Sequence, residues 1–184
     1  MTSTSDRLVA VDGVNGNAMM AVAKGLVPGR RQRRGGISSW DASGIFGEIV
    51  VAEESAGLPS ARTLLLLYAA DLAFRLRWEI NPALAEGLTV VAIPYVDTAI
   101  AFGRAAGLEP AWLDDMFNFA PKPGRCELVK AAAANAVSER QGFVEFGCQQ
   151  VAAMHGGHPR RLLIRLTGAH LRMLGTRLKT RHAT

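Results

Sequence analysis

Asp12-Gly13-Val14-Asn15-Gly16-Asn17-Ala18-Met19-Met20 follows directly on the apolar run Leu8-Val9-Ala10-Val11. That is where a turn leaving a buried strand can cradle phosphate. A working loop of this kind reads G-x-x-x-x-G-K-[ST]: backbone N–H groups surround the phosphates, the Lys reaches the outer oxygens and the hydroxyl holds Mg²⁺. Gly13 fills the first position, but Ala18, Met19 and Met20 stand where the second Gly, the Lys and the Ser/Thr belong. Residues Gly13, Val14, Asn15, Gly16, Asn17, Ala18, Met19 and Met20 therefore read as a degenerate phosphate loop. A strand, a Gly turn and a helix recur in many α/β domains, so the pattern alone has little specificity.

Other residues with chemical potential are dispersed. Asp71 breaks the apolar run Leu64 to Ala70, and a buried carboxylate needs a partner. A helix N-cap, an internal Arg pair and a ligand contact are all open for it. Asp97 falls in a loop, where simple exposure is the default. Met19 and Met20 suit a helix packed on a sheet, since Met is a flexible core filler; lining an apolar pocket is the other reading. His155 and His158 are spaced H-x-x-H in a Gly-rich stretch. Without a nearby Cys or a well-placed carboxylate they make a poor metal site, so no metal is expected.

Charge adds a second signal. The formal net charge is +5, unevenly spread. Arg30, Arg31, Arg33 and Arg34 form one cluster in a basic loop over 30–34. The tail carries Arg160, Arg161, Arg165, Arg172, Arg177, Lys179 and Arg181 with no acidic residue. Such clusters attract polyanions through salt-sensitive phosphate contacts, and a solvated basic surface is the ordinary alternative. Few aromatics accompany these arginines, so no stacking platform for single strands is indicated.

The elements that must position these groups read as α/β. At 184 residues and 49% hydrophobic, the chain can bury one sizeable core. Neither a repeat nor a dividing linker is visible, so 1–184 is taken as a single domain. Leu8 to Val11 reads as a strand inside a parallel sheet. Gly13 to Gly16 reads as the turn, and Asn17 as the N-cap of a helix from Ala18 to Leu26, stopped by Pro28-Gly29. Ser43 to Glu54 reads as helical. Ser60 should cap a long helix running to Ile80, apolar on most sides and so buried against the sheet and against a second subunit. Leu88 to Ile93 is expected as a strand ended by Pro94. A third strand follows over Cys126 to Val129, a helix over Ala131 to Arg140, a late strand over Leu162 to Leu166 and a basic C-terminal helix over 169–182. Cys126 and Cys148 give no disulfide framework and suit a reducing compartment. Met1 to Asp6 lacks the parts of a secretory signal, and Leu64 to Ala70 is far short of the ~20 apolar residues that span a bilayer. A soluble cytoplasmic protein without membrane contact is expected.

Several segments then occur in a telling order: Leu65-Leu66-Leu67-Tyr68-Ala69-Ala70-Asp71, Asn81-Pro82-Ala83-Leu84-Ala85-Glu86-Gly87, Tyr95-Val96-Asp97-Thr98-Ala99 with Ala101-Phe102, Gly107-Leu108, Trp112-Leu113 and Asn118-Phe119-Ala120-Pro121. They resemble the thymidylate kinase family, whose segments read LLLFAADR, I-x-PAL-x-x-G, DRYVDSSLAYQG and GL…WL…NxFAPxPD. Gly47-Glu48 is similar to the end of REPGGTPLGE. The likeness covers roughly residues 8 to 154. It implies a three-layer P-loop NTPase-like α/β fold, a parallel sheet flanked by helices, with a lid over roughly 139–160. It also implies a two-fold homodimer through the 61–80 helix. Tyr68 falls where the family stacks an aromatic on the thymine ring, although plain core packing is open too. With Asp71, Tyr95, Asp97 and Phe102 it forms the implied nucleoside pocket. Arg140, Arg160 and Arg161 are the cations nearest the implied lid.

The departures from the family are concentrated at its phosphate-handling positions. The loop Lys falls on Met19 and the Mg²⁺-binding hydroxyl on Met20. The Arg of REPGG falls on Ser39, and the Arg after AAD on Leu72. The Asp and Arg of DRY fall on Ile93 and Pro94, and the Asn-or-Ser after VDS on Ala99. Phosphoryl transfer draws its rate from positioning and from cations facing the developing charge, one Arg being worth ~10³–10⁵. Loss at four separate motifs is hard to compensate. The first reading is thus a catalytically inactive relative that needs no cofactor and serves as a binding, regulatory or partner subunit for another protein. The alternative is an active nucleoside monophosphate kinase moving phosphate from ATP to dTMP with Mg²⁺, using Lys24, Arg62 or Arg75 as displaced cations. A weaker alternative is a nucleic-acid-associated protein using the basic clusters.

Overall fold

In a computed structural model, which describes residues 5–27, 36–49, 59–132 and 142–154, the first apolar run becomes strand β1 (Leu8–Gly13), buried at every position. Burial on both faces is what a parallel sheet imposes, because crossover helices cover both sides. The other strands are β2 (Ile37–Ser39), β3 (Val90–Ile93) and β4 (Arg125–Val129). They assemble in the order β2-β3-β1-β4 with every pairing parallel. In register, Ala10 lies beside Ala92 on one side and Cys126 on the other.

The helices are α1 (Gly16–Leu26), α2 (Ala61–Arg75), α3 (Asn81–Ala85), α4 (Val96–Ala105), α5 (Pro110–Met116) and α6 (Phe143–Met154). Side chains alternate along a strand with period two, and the core divides accordingly. Val9, Val11, Val91 and Ile93 pack with Val129 under Met19 and Ala23 of α1. Leu8, Ala10, Val90 and Ala92 face the opposite way, onto α2, α4, α5 and α6. The result is a three-layer parallel α/β fold of the P-loop-like type. Among the described residues, no helix is long and apolar enough to cross a membrane.

Element boundaries differ from expectation at several points, each for a local reason. β1 runs on to Gly13, and α1 begins at Gly16. The N-cap is Asn15, not Asn17: extended at Asn15, the chain lets its Oδ1 accept the Ala18 N–H at 2.9 Å. That satisfies one of the four orphan donors of a helix start. Ser60 caps α2 as expected, accepting the Thr63 N–H at 3.1 Å. Beyond Arg75 the helix widens into a π turn, Leu76–Ile80, and continues into α3. Pro82 explains the widening, since it lacks an N–H and its ring crowds the carbonyl four residues back. The next strand starts at Val90, later than Leu88, because the Leu88 N–H is tied back to the Ala83 carbonyl at 2.9 Å. Ala131 and Ala132 are not helical, and of the span Ser43 to Glu54 residues 45–49 are helical. Of the implied lid, 142–154 is described and forms α6. The loop 30–34, residues 133–141, the late strand over 162–166 and the helix over 169–182 lie outside the described residues, with His155 and His158.

Candidate functional site

Asp12 ends the apolar run of β1, and its carboxylate organises the start of α4. Its Oδ1 accepts the Tyr95 N–H at 3.0 Å, the Thr98 N–H at 2.9 Å and the Thr98 hydroxyl at 2.6 Å. Tyr95 is the N-cap of α4, so Asp12 supplies from another strand the acceptor that a capping side chain usually provides. Thr98 Oγ1 in turn accepts the Gly13 N–H at 3.1 Å. Burial pushes the Asp12 carboxyl up to about 6, and the nearby charge of Asp97 adds to it, against the bonds from Thr98 and Tyr95.

That shift has a measurable sign. Between pH 4 and 6 the folded chain keeps a proton on Asp12 that the unfolded chain, at 3.8, has released. Stability from this group is complete below that window and lost as pH rises through it. The total is up to about 3 kcal/mol, from ~1.4 kcal/mol per unit. Urea denaturation across pH 4 to 7 should show this decline in the wild type and not in Asp12→Asn. Parallel curves for the two proteins would contradict it.

A cavity of about 340 Å³ opens where the start of α1 meets the ends of β2 and β3. Met19, Met20, Trp40, Ile93 and Pro94 give it apolar walls; Asn17, Ser39 and Asp41 give it polar edges; Gly16, Gly44, Gly47 and Gly142 complete it. No Lys, Arg or His is among the described residues that line it. Met19 is buried in the layer between α1 and the sheet, and Met20 packs on its edge. The two methionines thus both fill the core and face the cavity. The other half of the loop from Gly13 to Met20 does not line this cavity. Val14 is fully buried, and a Cβ on Gly13 would lie 2.9 Å from the Val129 carbonyl oxygen.

Four of the loop amides, those of Gly13, Gly16, Ala18 and Met19, already have internal acceptors. Gly13 donates to Thr98, Ala18 to the Asn15 side chain, and Met19 to the Asn15 carbonyl at 2.9 Å. The Gly16 N–H donates to Glu145 Oε2 at 3.3 Å, and Glu145 is fully buried on α6. Across the loop, Asn15 Nδ2 donates to the Ala132 carbonyl at 2.7 Å. These residues do not fit a triphosphate with magnesium. Met20 offers the metal no oxygen, Met19 offers no charge, and a carboxylate sits on an amide that a phosphate oxygen would take.

Asp71 and Arg75 hold the floor of this region. Asp71 Oδ1 accepts the Ser43 N–H at 2.9 Å and the Ser43 hydroxyl at 2.8 Å, and Oδ2 accepts the Asp41 N–H at 3.0 Å. Asp41 has φ 58, a left-handed conformation that Asp tolerates better than most residues. Arg75 is fully buried, its Nε–H on Ser38 Oγ at 2.9 Å. Its terminal nitrogens donate to the Pro94 carbonyl at 3.1 Å and the Ser38 carbonyl at 2.7 Å. The Ser38 hydroxyl in turn donates to Glu79 Oε2 at 2.7 Å. Arg75 thereby ties β2 to the end of β3 and lines neither cavity. Lys24 is exposed on α1, and the Arg62 guanidinium lies 4.8 Å over the Trp112 ring.

Of the five residues of the implied nucleoside pocket, Tyr95 and Asp97 line one cavity and Tyr68, Asp71 and Phe102 do not. Tyr95 and Asp97 line a second cavity of about 320 Å³ with Asp12, Asp114 and Lys122. The Tyr95 hydroxyl donates to the Pro121 carbonyl at 2.8 Å. Tyr68 and Phe102 are core residues, in ring contact with Phe143 at 4.5 and 5.2 Å. The Tyr68 hydroxyl is shared between the Pro94 carbonyl at 2.8 Å and the Tyr95 carbonyl at 3.0 Å. Burial raises both phenols well above their ordinary value. Asp71 serves the turn described above. Sequence reasoning missed Glu145 and the capping partnership of Asp12 with Thr98. A signal for Glu145 was present: a carboxylate inside Phe143-Val144-Glu145-Phe146 must find a donor if that helix is buried. Cys148, one turn on, is pushed up to about 12, by burial first and by the Glu145 charge second.

No family profile matches the chain. Among curated proteins, the probable thymidylate kinase of Pyrococcus horikoshii is 41% identical over 58 residues, which is 32% of this chain and 28% of that protein. The probable thymidylate kinase of Pyrococcus abyssi is 40% identical over 58 residues, again 32% and 28%. The probable thymidylate kinase 2 of Saccharolobus solfataricus is 26% identical over 117 residues, 63% of this chain and 55% of that one. The matched stretches thus cover 28% to 55% of the relatives' lengths. With the all-parallel three-layer sheet, these partial matches support a thymidylate-kinase-like relationship for the chain.

Proposed function

We propose that this thymidylate-kinase-like protein no longer transfers phosphate and acts in the cytoplasm as a binding or regulatory subunit. The observation that carries the proposal is the cavity beside α1, whose described lining has no cation while four amides of its loop are bonded internally. Phosphoryl transfer depends on cations that face the developing charge. The placement of Lys24, Arg62 and Arg75 away from that cavity supports the same reading. We further propose a homodimer through α2 and its π extension. Leu66, Phe74 and Trp78, large apolar side chains along this helix, are 52%, 39% and 65% exposed.

A coupled assay with ATP, Mg²⁺ and dTMP tests the proposal directly. Purified protein should release no ADP above the blank, and ATP with Mg²⁺ should bind no tighter than millimolar. ADP release that depends on dTMP would establish the active kinase instead. Sedimentation of the same preparation as a monomer at micromolar concentration would remove the dimer.

A further inference from the structure

We infer that Glu145 is a built-in anion, standing where a bound phosphate would stand and closing this loop to phosphorylated ligands. The contact is specific: Glu145 Oε2 accepts the Gly16 N–H, the first residue of α1, at 3.3 Å. Glu145 also lies in the first turn of its own helix, α6. Two helix starts therefore converge on one carboxylate. Each carries roughly half a positive elementary charge, the same field that draws phosphate to such places.

The backbone is shaped for this approach. A Cβ on Gly142 would lie 3.0 Å from Gly16 Cα, 3.1 Å from Gly16 N and 3.0 Å from Glu145 Oε2. The two helix starts touch through glycine, with no side chain to hold them apart. α6 is itself anchored, since Phe143 and Phe146 are buried among Trp40, Phe46 and Tyr68. The carboxylate is thus carried on a fixed element and does not swing as a loop would. A phosphate arriving at Gly16 meets a like charge that is already seated on its donor.

The inference deepens the proposed function by giving a cause for weak anion binding at the same loop, yet it fails separately. Inorganic pyrophosphate in metal-free buffer is the probe, titrated calorimetrically into wild type, Glu145→Gln and Glu145→Ala, with the Gly16 amide followed by ¹⁵N NMR. The Gln variant keeps the shape and removes the charge; the Ala variant removes both. Pyrophosphate should bind the variants on the order of tenfold more tightly than wild type, the size of one favourable helix-start interaction. The Gly16 resonance should move in the variants alone. If Ala fails to fold, Gln decides. Unchanged affinity in a folded Gln variant would overturn the inference, as would tighter binding that leaves Gly16 unmoved. Phosphate transfer by the wild type would instead sink the proposed function.

Discussion

Replacing Phe143 by Ala should cost about 3–5 kcal/mol of folding free energy, as expected for an aromatic deleted from a packed core. Phe143 is fully buried, and its ring centroid lies 4.5 Å from Tyr68, 5.2 Å from Phe102, 5.9 Å from Phe46 and 6.1 Å from Trp40. Aromatic pairs of this kind contribute ~0.5–1.5 kcal/mol each beyond area burial. The partners come from α2, from α4 and from the segment after β2, so the resulting void cannot collapse by moving one element. Phe143→Leu fills much of that volume and should cost less than half as much. Urea denaturation of the three proteins measures both. A loss under about 1 kcal/mol for Ala, the ordinary size of a surface change, would mean that α6 does not pack on the core as described.

Asp71→Ala should be the next most damaging, at about 3–4 kcal/mol. It strips the acceptor from two backbone N–H groups and a hydroxyl. Bonds to a charged acceptor are worth ~1.5–3 kcal/mol each, and they do not add when they share one carboxylate. The loss also has a local reading. The Asp41 to Gly44 turn borders the cavity beside α1, so its amides should exchange with solvent faster before the rest of the fold is affected. Asp71→Asn keeps an oxygen and should cost roughly half as much, as charge assistance about doubles such a bond. Unaltered exchange at Asp41 and Ser43 in the Ala variant would show that the carboxylate does not hold the turn.

The fold class is legible because Leu8 to Val11 and Val90 to Ile93 are unbroken apolar runs, which only burial on both faces explains. The Pro28-Gly29 stop and the Ser60 cap before an apolar run mark the helices between them. Finer features depend on tertiary contacts that local patterns do not carry. Asn15 and Asn17 are chemically alike as caps, and the choice follows from Val14 being drawn into the core. That Asp71 needs a partner is evident from its apolar neighbours. That the partner is a turn 28 to 30 residues earlier is not. The implied nucleoside residues fall in two stretches, 68–71 and 95–102, and it is packing against Phe143 of α6 that takes Tyr68 and Phe102 into the core while Tyr95 and Asp97 line a cavity. The π turn over Leu76–Ile80 has no counterpart in the expected helix from Ser60 to Ile80.

Gly13 is fixed by the packing of the sheet, whatever the loop binds. It sits against the Val129 carbonyl so closely that any larger residue must push two neighbouring strands apart. A loop that met no nucleotide and a loop that met one would be equally obliged to keep this residue. At this place the glycine is a record of architecture, and ancestry inferred from it says how the chain is built without saying what it turns over.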